Sequence, residues 1–243
     1  MANTDRELWV LGLGDDTGRG EIIRSYLSHA GYRSRSATVA DLAAGRPLGI
    51  VLDLSLLSED GWEILLRLKK DPAYRDIPVL PVYLSEEGKV GGVFHVAGFF
   101  VQPVEPAYLS RKLAVLGLTE DVDMYDLQVM IISRRGEETV EKAVEHAGFS
   151  VENAYTGKEG LALGTIKPPY LFFSQMMLPD MTCFELLEKF RLYPQLRNVP
   201  FFVLMKSEYK EDEKKALANG IADLVRKKEL TREEFLISFR RRA

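Results

Sequence analysis

One segment occurs twice in this chain, about 122 residues apart (position 53 to position 175), with its apolar residues kept and its charged residues changed. The first copy is Asp53–Leu65 (DLSLLSEDGWEIL) and the second is Gln175–Leu187 (QMMLPDMTCFELL). The similarity continues outward on both sides, from LSHAGY at 27–32 to VEHAGF at 144–149, and from DIPV at 76–79 to NVPF at 198–201. Solenoid repeats have periods of roughly 20–50 residues, so this longer spacing indicates a duplicated domain.

The length of each copy is sufficient for an independent core, because domains commonly have about 100–150 residues. We therefore predict two domains, residues 1–120 and 124–243, joined by a short acidic linker at about 119–126. We expect a linker this short to keep the two domains close.

Composition excludes several classes of protein. Hydrophobic residues make up 46% and charged residues 28% of the chain, as in ordinary soluble domains, and the net charge of −4 gives no reason to expect nucleic-acid binding. No apolar run approaches the roughly 18–20 residues that cross a bilayer, and the polar N-terminus is unlike a signal peptide. The single cysteine, Cys183, excludes an intrachain disulfide. We expect a cytoplasmic protein without membrane contact; its oligomeric state is not set by the sequence.

Apolar strands alternate with amphipathic helices in both halves, which is typical of an α/β fold whose parallel sheet is covered on both faces. The predicted strands are Leu8–Leu13, Ile50–Leu52, Val79–Leu84 and Phe99–Val101 in the first half, and Gln128–Ile132, Tyr170–Phe173, Phe201–Met205 and Leu224–Val225 in the second. In such sheets ligands bind beyond the carboxyl ends of the strands.

The two halves differ after the strand at Val79–Leu84 and its counterpart at Phe201–Met205. Residues 85–92 (SEEGKVGG) contain three glycines and no helical period, whereas residues 210–217 (KEDEKKAL) favour a helix. We expect a shortened fourth helix in the first domain. We also expect the second domain to contact partners through residues 210–219 and 231–240.

The combination of Leu52-Asp53-Leu54, Asp60-Gly61 and Ile77-Pro78-Val79 resembles the receiver domain of bacterial response regulators, and Leu178-Pro179-Asp180 with Val199-Pro200-Phe201 resembles it again. The likeness covers nearly the whole chain. It implies two tandem, doubly wound, five-stranded parallel sheets of the flavodoxin-like kind. It also implies a signalling module without an enzymatic or DNA-binding output domain.

The resemblance assigns roles in the first domain. Asp53 matches the aspartate that accepts a phosphoryl group from a histidine kinase, acting as a carboxylate nucleophile. Asp15 and Asp16, with Asp53 and the backbone carbonyl of Ser55, match the oxygen ligands of Mg²⁺. The metal would neutralise the anionic oxygens during transfer.

Two positions of this first site depart from the family. Tyr83 stands where the family has a threonine or serine hydroxyl, and Gln102 stands where it has a lysine. Loss of the lysine's charge-assisted hydrogen bond should cost about 1.5–3 kcal/mol.

The second domain departs further. Gln175 replaces the phosphoacceptor, and an amide cannot form an acyl phosphate; Met205 replaces the hydroxyl. Arg134 and Arg135 stand at the acidic pair, and only Lys227 matches the family's lysine. We predict a pseudo-receiver that is not phosphorylated.

Other motifs carry less weight. Gly12-Leu13-Gly14 begins like a dinucleotide-binding loop, but the third glycine would fall at Thr17 and the adjacent aspartates would repel a pyrophosphate. Cys183 stands where the family has glycine, which suggests packing. Two functional hypotheses therefore stand open: a response-regulator module phosphorylated at Asp53, and a scaffold of two pseudo-receivers that binds signalling proteins independently of phosphorylation.

Overall fold

The computed structural model describes residues 7–13, 18–55, 61–84, 90–120, 126–134, 138–225 and 230–235. Within these residues the chain forms two five-stranded sheets. The predicted α/β fold class is confirmed. No helix among the described residues is long and apolar enough to cross a membrane.

The first sheet has the strand order β2-β1-β3-β4-β5. Strands β1 to β4 are parallel, whereas β5 pairs with β4 in the antiparallel sense. The strand β3 lies at the centre and is buried along its whole length, which explains its unbroken apolar run. The bounds are Glu7–Leu11 (β1), Arg33–Ser36 (β2), Gly49–Asp53 (β3), Val79–Leu84 (β4) and Val90–Val93 (β5).

The second sheet has the order β6-β10-β9-β7-β8, and all its strands are parallel. Read from β8, this is the doubly wound order in which the first two strands are transposed. The bounds are Gly98–Val101 (β6), Gln128–Ile132 (β7), Ser150–Ala154 (β8), Leu171–Gln175 (β9) and Phe201–Met205 (β10).

The helices follow the strands in alternation, with a 3₁₀ turn at Val39–Ala43 after β2. Two have sequence-encoded starts: Thr156 caps α5, and Thr182 forms a capping box with Glu185 at the start of α6. The α-helices are Arg19–His29 (α1), Gly61–Lys70 (α2), Pro106–Val115 (α3), Glu138–His146 (α4), Gly157–Ile166 (α5), Cys183–Phe190 (α6) and Glu211–Val225 (α7).

Strand β6 comes from the first sequence repeat but lies in the second sheet. It pairs with β10 in parallel, with Phe99 opposite Val203, and the Gln102 N–H donates to the Met205 carbonyl at 2.8 Å. The ring of Phe100 is buried 5.6 Å from the ring of Phe202. The helix after β6, α3, packs against α4.

The end of the chain makes the reverse exchange. Phe235 is fully buried in the core cluster of the first sheet, with its ring 5.3 Å from that of Tyr26. The Leu230 N–H donates to the Val90 carbonyl at 2.9 Å. On α7, Lys214 forms ion pairs with Glu63 of α2 and, at 2.9 Å, with Glu211.

The two compact units are therefore each assembled from both repeats. One comprises Met1–His95 and Lys210–Ala243 and is called the Asp53 domain below; the other comprises Val96–Tyr209 and is called the Gln175 domain. These ranges differ from the continuous domains of 1–120 and 124–243 expected from the sequence. The acidic linker at 119–126 is flanked by α3 and β7, which both belong to the Gln175 domain, so it does not separate the two units.

Two further expectations need correction. Leu224 and Val225 are the last residues of α7 rather than a strand. Residues 210–219 and 231–240, expected as the contact surface of the second domain, both fall in the range of the Asp53 domain. Between β4 and β6 the described residues contain no helix and instead form β5; residues 85–89 lie outside the described part.

Candidate functional site

Asp53 ends the central strand of the first sheet. It pairs in register with Val82 of β4, and the preceding Leu52 pairs with Leu11 of β1. Strand β3 thus brings a single carboxylate to the carboxyl edge of the sheet, as the sequence predicted. The side chain is fully buried, with 0% of its surface exposed.

Within the described part of the chain, Ser55 and Leu84 donate hydrogen bonds to the Asp53 carboxylate. Its Oδ1 accepts from the backbone N–H of Ser55 at 3.0 Å and from that of Leu84 at 3.2 Å, and its Oδ2 accepts from the Ser55 hydroxyl at 2.8 Å. Hydrogen bonds from fixed backbone amides compensate a buried carboxylate for the loss of water. The carboxylate therefore has a defined orientation, set by the turn after β3 and by the end of β4.

Two of the residues predicted near Asp53 are described in the Asp53 domain. Ser55 is buried beside it and contacts it through amide and hydroxyl, and Tyr83 is half-buried in β4, one residue before Leu84. Asp15 and Asp16 lie outside the described residues. The role of the Ser55 carbonyl as a metal ligand stays a prediction.

Only part of the predicted set of Mg²⁺ ligands lies among the described residues. Among the described residues, no group of three histidine, cysteine, aspartate or glutamate side chains is arranged to hold a metal ion. Asp53 supplies one carboxylate of the kind that Mg²⁺ prefers, already accepting three hydrogen bonds. A complete site would need the carboxylates of Asp15 or Asp16.

Gln175 occupies the same position in the second sheet, at the end of β9, and is 5% exposed. Its Oε1 accepts from the backbone N–H of Arg134 at 3.1 Å, while its Nε2 is buried without a hydrogen-bond partner among the described residues. The amide is thus directed towards the end of β7. Met205, at the end of β10, is buried and presents no hydroxyl.

Because elements are exchanged between the two domains, residues that differ from the receiver family do not all lie in the domain to which the sequence assigned them. Gln102, expected beside Asp53, follows β6 in the Gln175 domain. Lys227 and Arg135 lie outside the described residues, although the elements on either side of Lys227, α7 and residues 230–235, belong to the Asp53 domain.

Sequence reasoning missed Leu84, whose backbone amide is a direct contact of Asp53. Its signal was its place at the end of β4, since strands that are neighbours in a parallel sheet end at the same edge. It also missed Leu230 and Phe235, and no local signal marks either residue as part of the first sheet's core.

Comparisons with known proteins give distant matches only. No protein-family model matches the chain, and no curated protein matches it. Among solved structures, the chain is similar to a putative response regulator from Chloroflexus aurantiacus at 14% identity, covering 42% of this chain and 99% of that one with a TM-score of 0.32. The N-terminal domain of a response regulator receiver protein from Methanoculleus marisnigri has 21% identity, with coverage of 40% and 78% and a TM-score of 0.32.

A third structure matches nearly the whole chain. It is a putative two-component system response regulator/GGDEF domain protein with 12% identity, coverage of 90% of this chain and 99% of that one, and a TM-score of 0.30. At these identities and TM-scores, the comparisons do not assign a function.

Proposed function

We propose that the chain is a receiver-type signal transduction protein of two-component systems, and that Asp53 accepts a phosphoryl group from a histidine kinase. The observation that carries this proposal is the oriented carboxylate of Asp53 at the end of the central strand, which accepts hydrogen bonds from the amides of Ser55 and Leu84. In the reaction an oxygen of Asp53 attacks phosphorus, and the P–N bond of the phosphohistidine breaks. Its electron pair stays on the imidazole nitrogen, which takes up a proton, and an acyl phosphate forms.

Mg²⁺ would support this transfer by neutralising the phosphoryl oxygens. Asp53, Asp15, Asp16 and the Ser55 carbonyl are the residues that we propose as ligands. The Gln175 domain takes no part in this chemistry, because the amide that accepts from Arg134 is not a nucleophile for phosphorus. We propose that it is a pseudo-receiver and acts through protein contacts.

A second function is favoured by one specific observation. Asp53 has no exposed surface, and the Ser55 hydroxyl donates directly to Oδ2. A carboxylate that is covered and hydrogen-bonded in this way can serve as a structural anchor between β3 and β4. In that case the chain is a scaffold that binds signalling proteins independently of phosphorylation.

Amide-resolved NMR titration with Mg²⁺ and then beryllofluoride separates the two functions. For a phosphoryl acceptor we expect shifts at Ser55, Tyr83 and Leu84 that are absent in Asp53→Asn. The amides of Arg134 and Gln102 serve as internal controls, since they belong to the Gln175 domain. An unchanged spectrum at millimolar Mg²⁺ with beryllofluoride would reject phosphorylation at Asp53 and support the scaffold.

A further inference from the structure

Phe235, from the second sequence repeat, is part of the apolar core of the first sheet, whose central strand ends at Asp53. Phe235 is fully buried in one cluster with Ile23, Leu27, Leu84 and Val90. These partners come from α1, β4 and β5 in the first sequence repeat, whereas Phe235 comes from the second. The attachment is therefore a packed apolar contact, and full burial of a side chain of this kind stabilises by about 1.5–3 kcal/mol.

A short series of hydrogen bonds connects this segment to Asp53. The Leu84 N–H donates to Asp53 Oδ1 at 3.2 Å, and Leu84 pairs with Val90 across the β4–β5 ladder. The Val90 carbonyl in turn accepts from the Leu230 N–H at 2.9 Å. Two hydrogen bonds and one strand pair therefore connect the Asp53 carboxylate to Leu230.

The energetics make this series sensitive to the state of Asp53. Leu84 is fully buried, and a buried N–H that loses its acceptor costs free energy until the backbone moves to find another. The pairing of β4 and β5 is already irregular between Tyr83 and Leu84, so the end of β4 is the place where the ladder can adjust. A movement there reaches Val90, and with it the acceptor of Leu230.

The elements that follow β4 and β5 in the first repeat do not pack against the first sheet. Strand β6 and helix α3 are packed in the Gln175 domain, where Phe100, Tyr108 and Leu113 are part of its core. Residues 211–225 and 230–235 hold the corresponding place in the Asp53 domain instead. Lys214 adds an ionic contact between α7 and Glu63 of α2.

We propose that residues 211–225 and 230–235 form a docked intrachain segment whose attachment to the Asp53 domain depends on the Asp53 carboxylate. A change at Asp53 is then transmitted first to a segment of the second repeat. This inference rests on the proposed function only in taking phosphorylation of Asp53 as the natural trigger. The coupling itself follows from the contacts of the unmodified carboxylate.

Hydrogen exchange of single amides in the full-length protein tests this coupling. Asp53→Ala removes the acceptor of Leu84, and we expect roughly tenfold faster exchange at both Leu84 and Leu230. Asp53→Asn keeps an oxygen for Leu84 and should leave both amides close to wild type. Gln175→Ala is the matched control: it should accelerate exchange at Arg134, whose acceptor it removes, and leave Leu230 unchanged.

Faster exchange at Leu84 without any change at Leu230 in Asp53→Ala would overturn the proposal. Should Asp53→Ala unfold the domain, the reciprocal variant Leu230→Pro, which removes the N–H that Val90 accepts, must accelerate exchange at Leu84; an unaffected Leu84 would again contradict it. Beryllofluoride with Mg²⁺ separates the two proposals. Binding that leaves Leu230 unchanged rejects the coupling, whereas no binding together with the expected Asp53→Ala result rejects only phosphorylation.

Discussion

The backbone N–H of Leu230 donates to the carbonyl of Val90 at 2.9 Å, although the two residues belong to different copies of the sequence repeat. The pairing of Gln102 with Met205 at 2.8 Å has the same property in the other direction. The first copy of the repeat therefore supplies β6 and α3 to the Gln175 domain, and the second copy supplies the range from Lys210 onward to the Asp53 domain. This arrangement leads to predictions that two continuous domains would not give.

After cleavage between the repeats, the two fragments should remain associated. We expect that a chain with a protease site inserted between Glu120 and Asp126, which are both exposed, keeps its two fragments associated after cutting. The reason is that each fragment holds part of both cores. Native mass spectrometry of the cut protein should show a single species close to the mass of 27.5 kDa. Two separate folded fragments would contradict the exchange of elements; denaturation after cutting provides the control that cleavage is complete.

Phe235→Ala should destabilise the Asp53 domain. The ring is fully buried, and loss of a buried phenylalanine costs about 3–5 kcal/mol. Both tryptophans, Trp9 and Trp62, lie in the Asp53 domain, so the urea transition of tryptophan fluorescence reports on this domain. We expect that transition to move to lower urea.

Phe149→Ala is the matched variant for this measurement. Phe149 is 3% exposed and lies in the core of the Gln175 domain, which contains no tryptophan. Its effect should appear in circular dichroism more strongly than in fluorescence. An unchanged urea midpoint of the fluorescence transition in Phe235→Ala would show that Phe235 does not stabilise the core of the Asp53 domain.

Ser55→Ala should increase phosphorylation of Asp53 by a small-molecule phosphodonor. The variant removes the hydroxyl that donates to Oδ2 and keeps the backbone N–H that donates to Oδ1. An oxygen relieved of one hydrogen bond is a better nucleophile and is less covered. The initial rate of acyl phosphate formation, followed by intact mass, gives the measurement. A rate lower than that of wild type would mean that the hydroxyl assists the reaction instead of covering the oxygen.

Cys183 should be unreactive in the folded protein. Burial raises the pKa of the Cys183 thiol well above its usual range. Because the thiol keeps its proton in the folded state, its contribution to stability is present below about pH 8.5, where the unfolded thiol is also protonated, and is lost as the pH rises further. The free energy of unfolding of wild type should thus fall more than that of Cys183→Ala between pH 7 and 10. Iodoacetamide labelling at pH 8 should require urea; rapid labelling of the native protein would contradict the burial.

The central strands of each sheet could be predicted because they are largely apolar, whereas β2 (RSRS) and β8 (SVENA) are polar edge strands and were not predicted. The strands at Val79–Leu84 and Phe201–Met205 were predicted with the observed bounds. Leu224–Val225 was misjudged for the same reason, since a short apolar run at the end of a helix has no period that distinguishes it from a strand.

The exchange of elements could not be predicted, because a strand edge offers the same backbone donors and acceptors to any partner. The repeat makes β4 and β10 equivalent, so β6 is compatible with either edge by local pattern. The choice depends on packing far along the chain, such as that of Phe235 against Tyr26.

The candidate site divides in the same way. The place of Asp53 at the end of a central strand followed from the apolar run before it, and so did the place of Gln175. The burial of Asp53 and its hydrogen bond from Leu84 depend on how β4 ends, which residue types alone do not determine.

The crossing of the chain at 95–96 and again at 209–210 has a consequence for how such a protein can change in evolution. A duplicated domain is usually a module that can be lost, copied again or fused to another protein without damage to its twin. Here the removal of either copy would leave one domain without the elements that the other copy supplies, and would leave the rest of the second domain as an isolated fragment. The two halves must therefore be inherited together, and a substitution late in the sequence, at Phe235 for example, is selected by the needs of the domain that begins at the other end.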